Sequence, residues 1–353
     1  MSIAELARPE IRALRPYEAA VQVDDTIRLN ANEAPRTGAA DRFRRPLNRY
    51  PEIRPQRLRS ALAARYGCRP EELLVTRGSS EAIDLLMRAF CRAGLDNVVT
   101  TAPTFSMYRH YAAVQGAAVR EVATAREAGF ALDVGALLAA CDDSTRLIFV
   151  CSPNNPTGNL VPAATLTELL EKRGDRSAIV VDEAYIEFAD APSAVELLSQ
   201  YPNLLVLRTL SKALAFAGAR CGAVIGRAEV VALLDTIQAP YALATPVVEC
   251  VENALDGDYR AAARGWLREI VAERQRVASQ LERFRSVKRV WPSAANFLLV
   301  EVADAPELMR RCTDDKVLLR YFGGELADCV RITIGSPAEN RRLLDCFTAL
   351  EAS

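Results

Sequence analysis

Histidine is almost absent, with His110 the only one in 353 residues. That removes His-rich metal sites and a histidine-activated nucleophile from the candidates. Lysine is nearly as scarce: Lys172, Lys212, Lys288 and Lys316 are the only ones among 44 basic residues. If the chemistry uses a lysine amine, it is one of these. The nine cysteines form no C-x-x-C pair, and an odd, scattered set reads as reduced thiols packed in a core. An excess of charge is missing too. The 44 basic and 45 acidic side chains leave a net charge of −1, so no global field draws in nucleic acid or an anionic membrane. The opening MSIAELARPEIRAL holds no signal-like apolar stretch, and no run approaches the roughly 18–20 apolar residues that cross a bilayer. The expectation is a cytoplasmic protein with no bound metal, no nucleic-acid partner and no membrane span.

What is present is an ordinary globular balance, half apolar and a quarter charged, arranged in an alternating pattern. Short apolar runs at Leu73–Thr76, Val98–Thr101, Ala118–Val122, Leu147–Cys151, Ala178–Val181, Leu204–Leu207 and Ala223–Ile225 read as strands. Helical periods at Ser80–Cys91, Phe105–Gln115 and Ala163–Lys172 separate several of them. Strands alternating with helices predict a doubly wound, mostly parallel α/β sheet covered on both faces. The character changes after Thr245. A long Arg- and Glu-rich helix at Tyr259–Phe284 precedes a strand at Asn296–Val302, a helix at Pro306–Cys312, strands at Val317–Tyr321 and Val330–Ile334, and a last helix opened by Ser336-Pro337. The chain thus divides into an arm over 1–28, broken by Pro9 and Pro16, a large α/β domain over 29–245, and a linking helix with a small α+β domain over 246–353. The segment 29–45 is expected to join the small domain. The cleft between the two domains is a favoured place for a ligand.

Candidate chemistry falls at the ends of the predicted strands. In Thr76-Arg77-Gly78-Ser79-Ser80-Glu81 a strand turns into a helix whose first N–H groups and hydroxyls suit an anion, although an ordinary serine-capped helix start reads the same way. Cys151-Ser152-Pro153-Asn154-Asn155-Pro156-Thr157-Gly158 follows a buried strand. It is a plain turn, or it is a ligand loop with Asn155 as amide donor, because open α/β sheets bind ligands beyond the carboxyl ends of their strands. Asp182 closes the apolar Val180-Val181, just ahead of Tyr185, and a buried carboxylate is costly without a partner. Thr209-Leu210-Ser211-Lys212 follows another apolar strand, and Arg220 follows it in turn. Desolvation and nearby cations lower a lysine's pKa and free its amine for a Schiff base. Lys172, Lys288 and Lys316 sit among charged neighbours and read as solvated. Phosphate donors, a buried carboxylate, an amide, a tyrosine and a lysine in this order match what pyridoxal phosphate requires.

The full set of segments resembles the histidinol-phosphate aminotransferase family of fold-type I pyridoxal-phosphate enzymes. The likeness runs over roughly residues 15 to 345. It is carried by Leu29-Asn30-Ala31-Asn32-Glu33, Asn48-Arg49-Tyr50-Pro51, Arg77–Glu81, Pro103–Tyr108, Ser152–Gly158, Val181–Phe188, Thr209–Lys212, Ala217–Gly222, Tyr241–Pro246, Ala295-Asn296-Phe297 and Arg331–Gly335. The resemblance implies that Lys212 joins the cofactor's aldehyde and shuttles a proton, and that Asp182 pairs with the pyridine nitrogen. Asn155 and Tyr185 would bond the phenolic oxygen and Phe105 would stack on the ring. Ser79, Ser80, Thr209, Ser211 and Arg220 would hold the phosphate, joined by Tyr50 from a second copy in a homodimer. Arg331 and Arg320 would take the substrates' anionic ends, with Tyr17 and Asn32 as further contacts.

The implied reaction moves an amino group from L-histidinol phosphate to 2-oxoglutarate, giving imidazole-acetol phosphate and L-glutamate. An aromatic amino-acid aminotransferase, or a threonine-phosphate decarboxylase, would use the same scaffold. A non-catalytic cofactor-binding regulator would need a DNA-binding module, for which no segment is spare. Phe105 stands where many members carry tyrosine, and Ser79-Ser80 replace an Ala-Asp or Ala-Ser pair. His110 reads as a structural or surface residue.

Overall fold

The computed structural model describes residues 2–17, 22, 28–38, 41–255 and 257–351, the last span without the side chains of 257–261. The large sheet contains β1 (Leu73–Thr76), β2 (Asn97–Ala102), β3 (Ala118–Ala123), β4 (Thr145–Cys151), β5 (Ala178–Asp182), β6 (Leu204–Thr209) and β7 (Gly222–Ile225), in the order β1-β7-β6-β5-β4-β2-β3. All neighbours are parallel except those of β7, which runs against both β1 and β6. Two reversals restore the direction of β1. Its carboxyl end therefore lies at the same edge as those of β4, β5 and β6.

Strands buried on both faces need continuous apolar sequence, and the alternation of side chains sorts them into two cores. Ile148, Val150, Ile179 and Val181 pack on one side, with Leu147, Phe149, Ala178 and Val180 on the other. The first described residues add to the second core. Ile3 and Ala7 are buried there, and the Arg8 amide donates to Ala89 O at 2.9 Å, just ahead of the short α1 (Pro9–Arg12). The arm predicted over 1–28 is thus docked at its beginning; residues 18–21 and 23–27 lie outside the described residues.

The large-domain helices are α2 (Gln56–Tyr66), α3 (Gly78–Phe90), α4 (Met107–Gln115), α5 (Val134–Ala140), α6 (Ala163–Arg173), α7 (Ala228–Ile237) and α8 (Thr245–Ala254). Then α9 (Gly257–Leu281) leads to β8 (Val287–Val290), β9 (Phe297–Val302), α10 (Ala305–Asp314), β10 (Arg320–Gly323), β11 (Leu326–Thr333) and α11 (Pro337–Glu351). The second sheet is antiparallel, ordered β10-β11-β9-β8, and shares its own core with α9, α10 and α11. The strand predicted at Val317–Tyr321 begins three residues later than expected. Lys316 takes a left-handed φ of 61° and the Val317 amide caps α10 at Cys312 O, so pairing starts only where Arg320 meets Arg331. Four of the large-domain helices (α2, α5, α7 and α8) and β8 were not anticipated from the sequence.

Segment 29–45 was expected to join the small domain. The Arg44 and Arg45 amides of this segment donate to Glu249 of α8 at 3.1 and 2.7 Å. Close by, Glu33 accepts from Arg49 at 2.9 Å and from the Tyr50 amide at 2.8 Å.

Candidate active site

A cavity of about 640 Å³ opens at the carboxyl ends of these strands, beneath the small sheet. This lies within the roughly 300–1,000 Å³ usual for cofactor and substrate sites. It gathers twelve of the candidate residues: Ser79, Ser80, Phe105, Asn155, Asp182, Tyr185, Thr209, Ser211, Lys212, Arg220, Arg320 and Arg331.

The anion end is built from α3 and the loop before β7. The helix begins at Gly78, so Ser79 and Ser80 occupy its first turn and no side chain caps it. This corrects the serine-cap alternative. Glu81, the acid of that turn, is spent on the Arg77 amide and guanidinium. Arg220 Nη2 lies 2.8 Å from where a Cβ on Gly78 would be, and Gly78 holds a left-handed φ of 75°, a backbone that favours glycine. Arg220 itself holds a left-handed φ of 52° and donates to Ser211 Oγ at 3.3 Å, which also accepts from Thr209 Oγ1 at 3.0 Å. First-turn N–H groups, four hydroxyls and an arginine make a cup for a dianion.

The middle of the cavity holds the titratable groups. Asp182 ends β5 only 1 % exposed, and burial pushes its carboxyl up to about 6. Against that work the Tyr108 hydroxyl, donating at 2.8 Å, the Ala184 amide at 3.1 Å and the charge of Lys212. The next residue, Glu183, points to the opposite face and pairs with the buried Arg208 of β6, locking the ends of the two strands together. Lys212 reaches into the cavity from the turn after β6. Its amine is lowered by burial first and then by the charges of Arg331 and Arg220, with Asp182 opposing. Among the described residues no carboxylate forms an ion pair with it. The amine sits 5.6 Å from the Tyr185 ring.

The far end is an arginine pair. Arg320 and Arg331 are direct partners across β10 and β11, so their side chains share one face of the sheet. Arg331 bonds Asn155 Oδ1, leaving that amide's NH₂ for a ligand. Its guanidinium lies 5.2 Å from the Phe297 ring and 5.6 Å from that of Phe322, while Arg320 is 5.5 Å from Phe322.

Three candidates do not line the cavity. Tyr50 is half-exposed and stacks on Tyr241 at 4.6 Å. Tyr17 lies near enough to join Tyr50 in raising the Tyr241 phenol, after burial. Asn32 is exposed, with a left-handed φ of 55°. Conversely, Thr104, Ser106, Cys151, Ala184 and Phe322 line the cavity without having been singled out. Phe322 had a signal, since alternation along a strand puts it on the face of Arg320. Among the described residues no cluster of His, Cys, Asp and Glu could hold a metal, and no helix is long and apolar enough to cross a membrane.

These donors fit pyridoxal phosphate. The cup matches its phosphate, the buried acid its pyridine nitrogen, Asn155 and Tyr185 its phenolic oxygen, and the unpaired amine its aldehyde. Fold and site together define a fold-type I, pyridoxal-phosphate-dependent aminotransferase, and the chain belongs to the aminotransferase class I and II family, whose pattern matches residues 25–347. Within that class it is a member of the histidinol-phosphate aminotransferases. It is 42% identical over 357 residues to the histidinol-phosphate aminotransferase of Xylella fastidiosa (strain 9a5c), covering 99% of this chain and 98% of that one. The enzyme of that name from Xanthomonas campestris pv. campestris (strain 8004) is 43% identical over 349 residues, covering 97% and 96%. The Sinorhizobium meliloti structure, solved with pyridoxal-5′-phosphate, superposes with a TM-score of 0.76 at 25% identity, over 86% of this chain and 84% of that one.

Proposed function

We propose that the chain transfers the amino group of L-histidinol phosphate to 2-oxoglutarate, forming imidazole-acetol phosphate and L-glutamate, with Lys212 as the central amine. The observation that carries this reading is one cavity holding Lys212 and Asp182 between two cationic ends, Arg220 with the first turn of α3 and Arg320 with Arg331. Pyridoxal phosphate, when bound, supplies an aldehyde that exchanges amines and a ring that takes up electrons released at the substrate Cα. Ser79, Ser80, Thr209, Ser211 and Arg220 would hold its phosphate, Phe105 would stack on its ring, and Asn155 and Tyr185 would donate to its phenolic oxygen. Asp182 would keep the pyridine nitrogen protonated.

Lys212 Nζ would hold the aldehyde and would accept the proton from the substrate Cα. Arg331 serves both substrates in turn, gripping the phosphate end of one and a carboxylate of the other, with Arg320 beside it. The cleft it closes is formed by a large domain over 29–245 and a linking helix with a small domain over 246–353. Tyr50, exposed beside Tyr241 and Tyr17, is turned outward to complete the site of a second copy in a homodimer. Asn32 and Tyr17 extend toward substrate from that same surface. The nine free cysteines suit the reducing cytoplasm.

Replacing the amine tests the reading. Lys212→Ala should retain a native circular-dichroism spectrum, lose multiple turnover entirely, and take no borohydride-fixed cofactor. Sustained turnover by this variant would remove Lys212 from the chemistry.

A further inference from the structure

Tyr108 carries no role in the reading above, yet it is a fully buried polar group beside the site. It lies on α4, fully buried, with its ring stacked on Phe149 at 4.7 Å and edge-on to Phe105 at 5.7 Å. Its hydroxyl meets Asp182 Oδ2 at 2.8 Å. Two aromatic contacts fix the ring, so the position of the hydroxyl oxygen is set by packing.

We propose that Tyr108 is a positioning residue: its packed hydroxyl holds Asp182 in one rotamer as an ionised acceptor, ready for a protonated pyridine nitrogen. The inference rests on the reading that Asp182 faces that nitrogen. The groups around the carboxylate leave the hydroxyl this task. On its own strand's continuation, the Ala184 amide occupies Oδ1 and Tyr185 stands close by. From the end of β4, the Cys151 thiol donates to Pro153 O at 3.4 Å. Lys212 is the one cation contributed by the neighbouring turn.

Burial, first of all, keeps the Tyr108 phenol well above its ordinary range, and it keeps the Cys151 thiol raised as well. Both therefore remain protonated at neutral pH. A protonated phenol at 2.8 Å donates to a carboxylate, and a hydrogen bond that favours the charged form lowers an acid's pKa. Removing the hydroxyl moves Asp182 upward from about 6, toward the pH at which the enzyme works. Tyr108 is not among the residues that would hold the phosphate and does not line the cavity, so it acts only through Asp182.

The test measures the affinity of the full-length, cofactor-stripped chain for pyridoxal 5′-phosphate between pH 5 and 9. Tyr108→Phe keeps the stacked ring and deletes one oxygen. It should bind about tenfold more weakly than the parent near pH 7, the worth of one hydrogen bond to a charged group, and converge with it by pH 9, where Asp182 is ionised in both. A deficit of the same size at every pH, or no deficit, overturns the inference. Should Tyr108→Phe fail to fold, 3-fluorotyrosine at position 108 keeps the ring and donates more strongly. It should move the parent's midpoint downward, and an unmoved midpoint overturns the inference.

Asp182→Asn separates the two claims. If it binds as tightly as the parent, the reading of Asp182 falls, and this inference with it. If it binds weakly while Tyr108→Phe matches the parent at all pH values, only the role of Tyr108 falls. In the double variant the losses should not add, because the two side chains act as one unit.

Discussion

Asp182 shows how a residue can serve function at a cost to the fold. In an unfolded chain an aspartate ionises near pH 4, whereas burial holds Asp182 at about 6. Between these values the folded chain binds the extra proton, so stability falls as pH rises from about 4 to about 6 and stays reduced above, by about 3 kcal/mol. Stripped of cofactor, Asp182→Asn should therefore melt higher than the parent at pH 8, with the gap narrowing as the pH approaches 4. Equal melting temperatures at pH 8 would mean that the carboxylate costs nothing where it sits. Most residues of this site were legible from sequence because each follows an apolar strand, as Asp182 follows Val180-Val181 and Lys212 follows Leu204–Leu207. Tyr108 was not. It lies in the first turn of a helix, and only folding brings its hydroxyl to a strand 74 residues away.

Among the elements, β7 holds the phosphate cup in place. It runs between β1 and β6 and is the strand that opposes its neighbours. At its start, a Cβ on Gly222 would lie 2.7 Å from Arg208 O and 2.9 Å from the backbone of Gly78. Those are main-chain atoms and cannot swing aside. Gly222→Ala should push the first turn of α3 away from Arg220 and weaken cofactor retention more than tenfold, measured by equilibrium dialysis; unchanged retention would show that the cup does not depend on this close approach. The strands were readable because apolar runs closed by turn residues are distinctive. The helices that escaped notice have local reasons. In α7, Ala-Glu-Val-Val-Ala-Leu-Leu is apolar on nearly every side, which hides the helical period. In β8, Val287 to Val290 encloses Lys288 and Arg289, whose charges read as surface until β9 pairs beside them. The order of the strands, and the reversal of β7 above all, depends on contacts across long separations that no local pattern states.

At the scale of the whole molecule, the two sheets divide the labour. The large sheet supplies the amine, the buried acid and the phosphate cup, while the small sheet lowers Arg320 and Arg331 onto the other end of one cavity. The join is tight at the loop after β4. Gly158 takes a φ of 80° against Ser293, and the Ala294 amide donates to Gly158 O at 2.8 Å. Asn155 of the same loop bonds Arg331, so whatever occupies the arginine pair also bears on the amide proposed to face the cofactor. A substrate with a phosphate on one end and an amine near the other spans this arrangement. That claim is tested most directly by mixing the cofactor-loaded enzyme with L-histidinol phosphate, without any keto acid, and following the absorbance of a single turnover. The account predicts that the band of the lysine-linked cofactor falls as that of pyridoxamine phosphate rises. An unchanged spectrum, followed by conversion on adding phenylalanine or tyrosine, would contradict it.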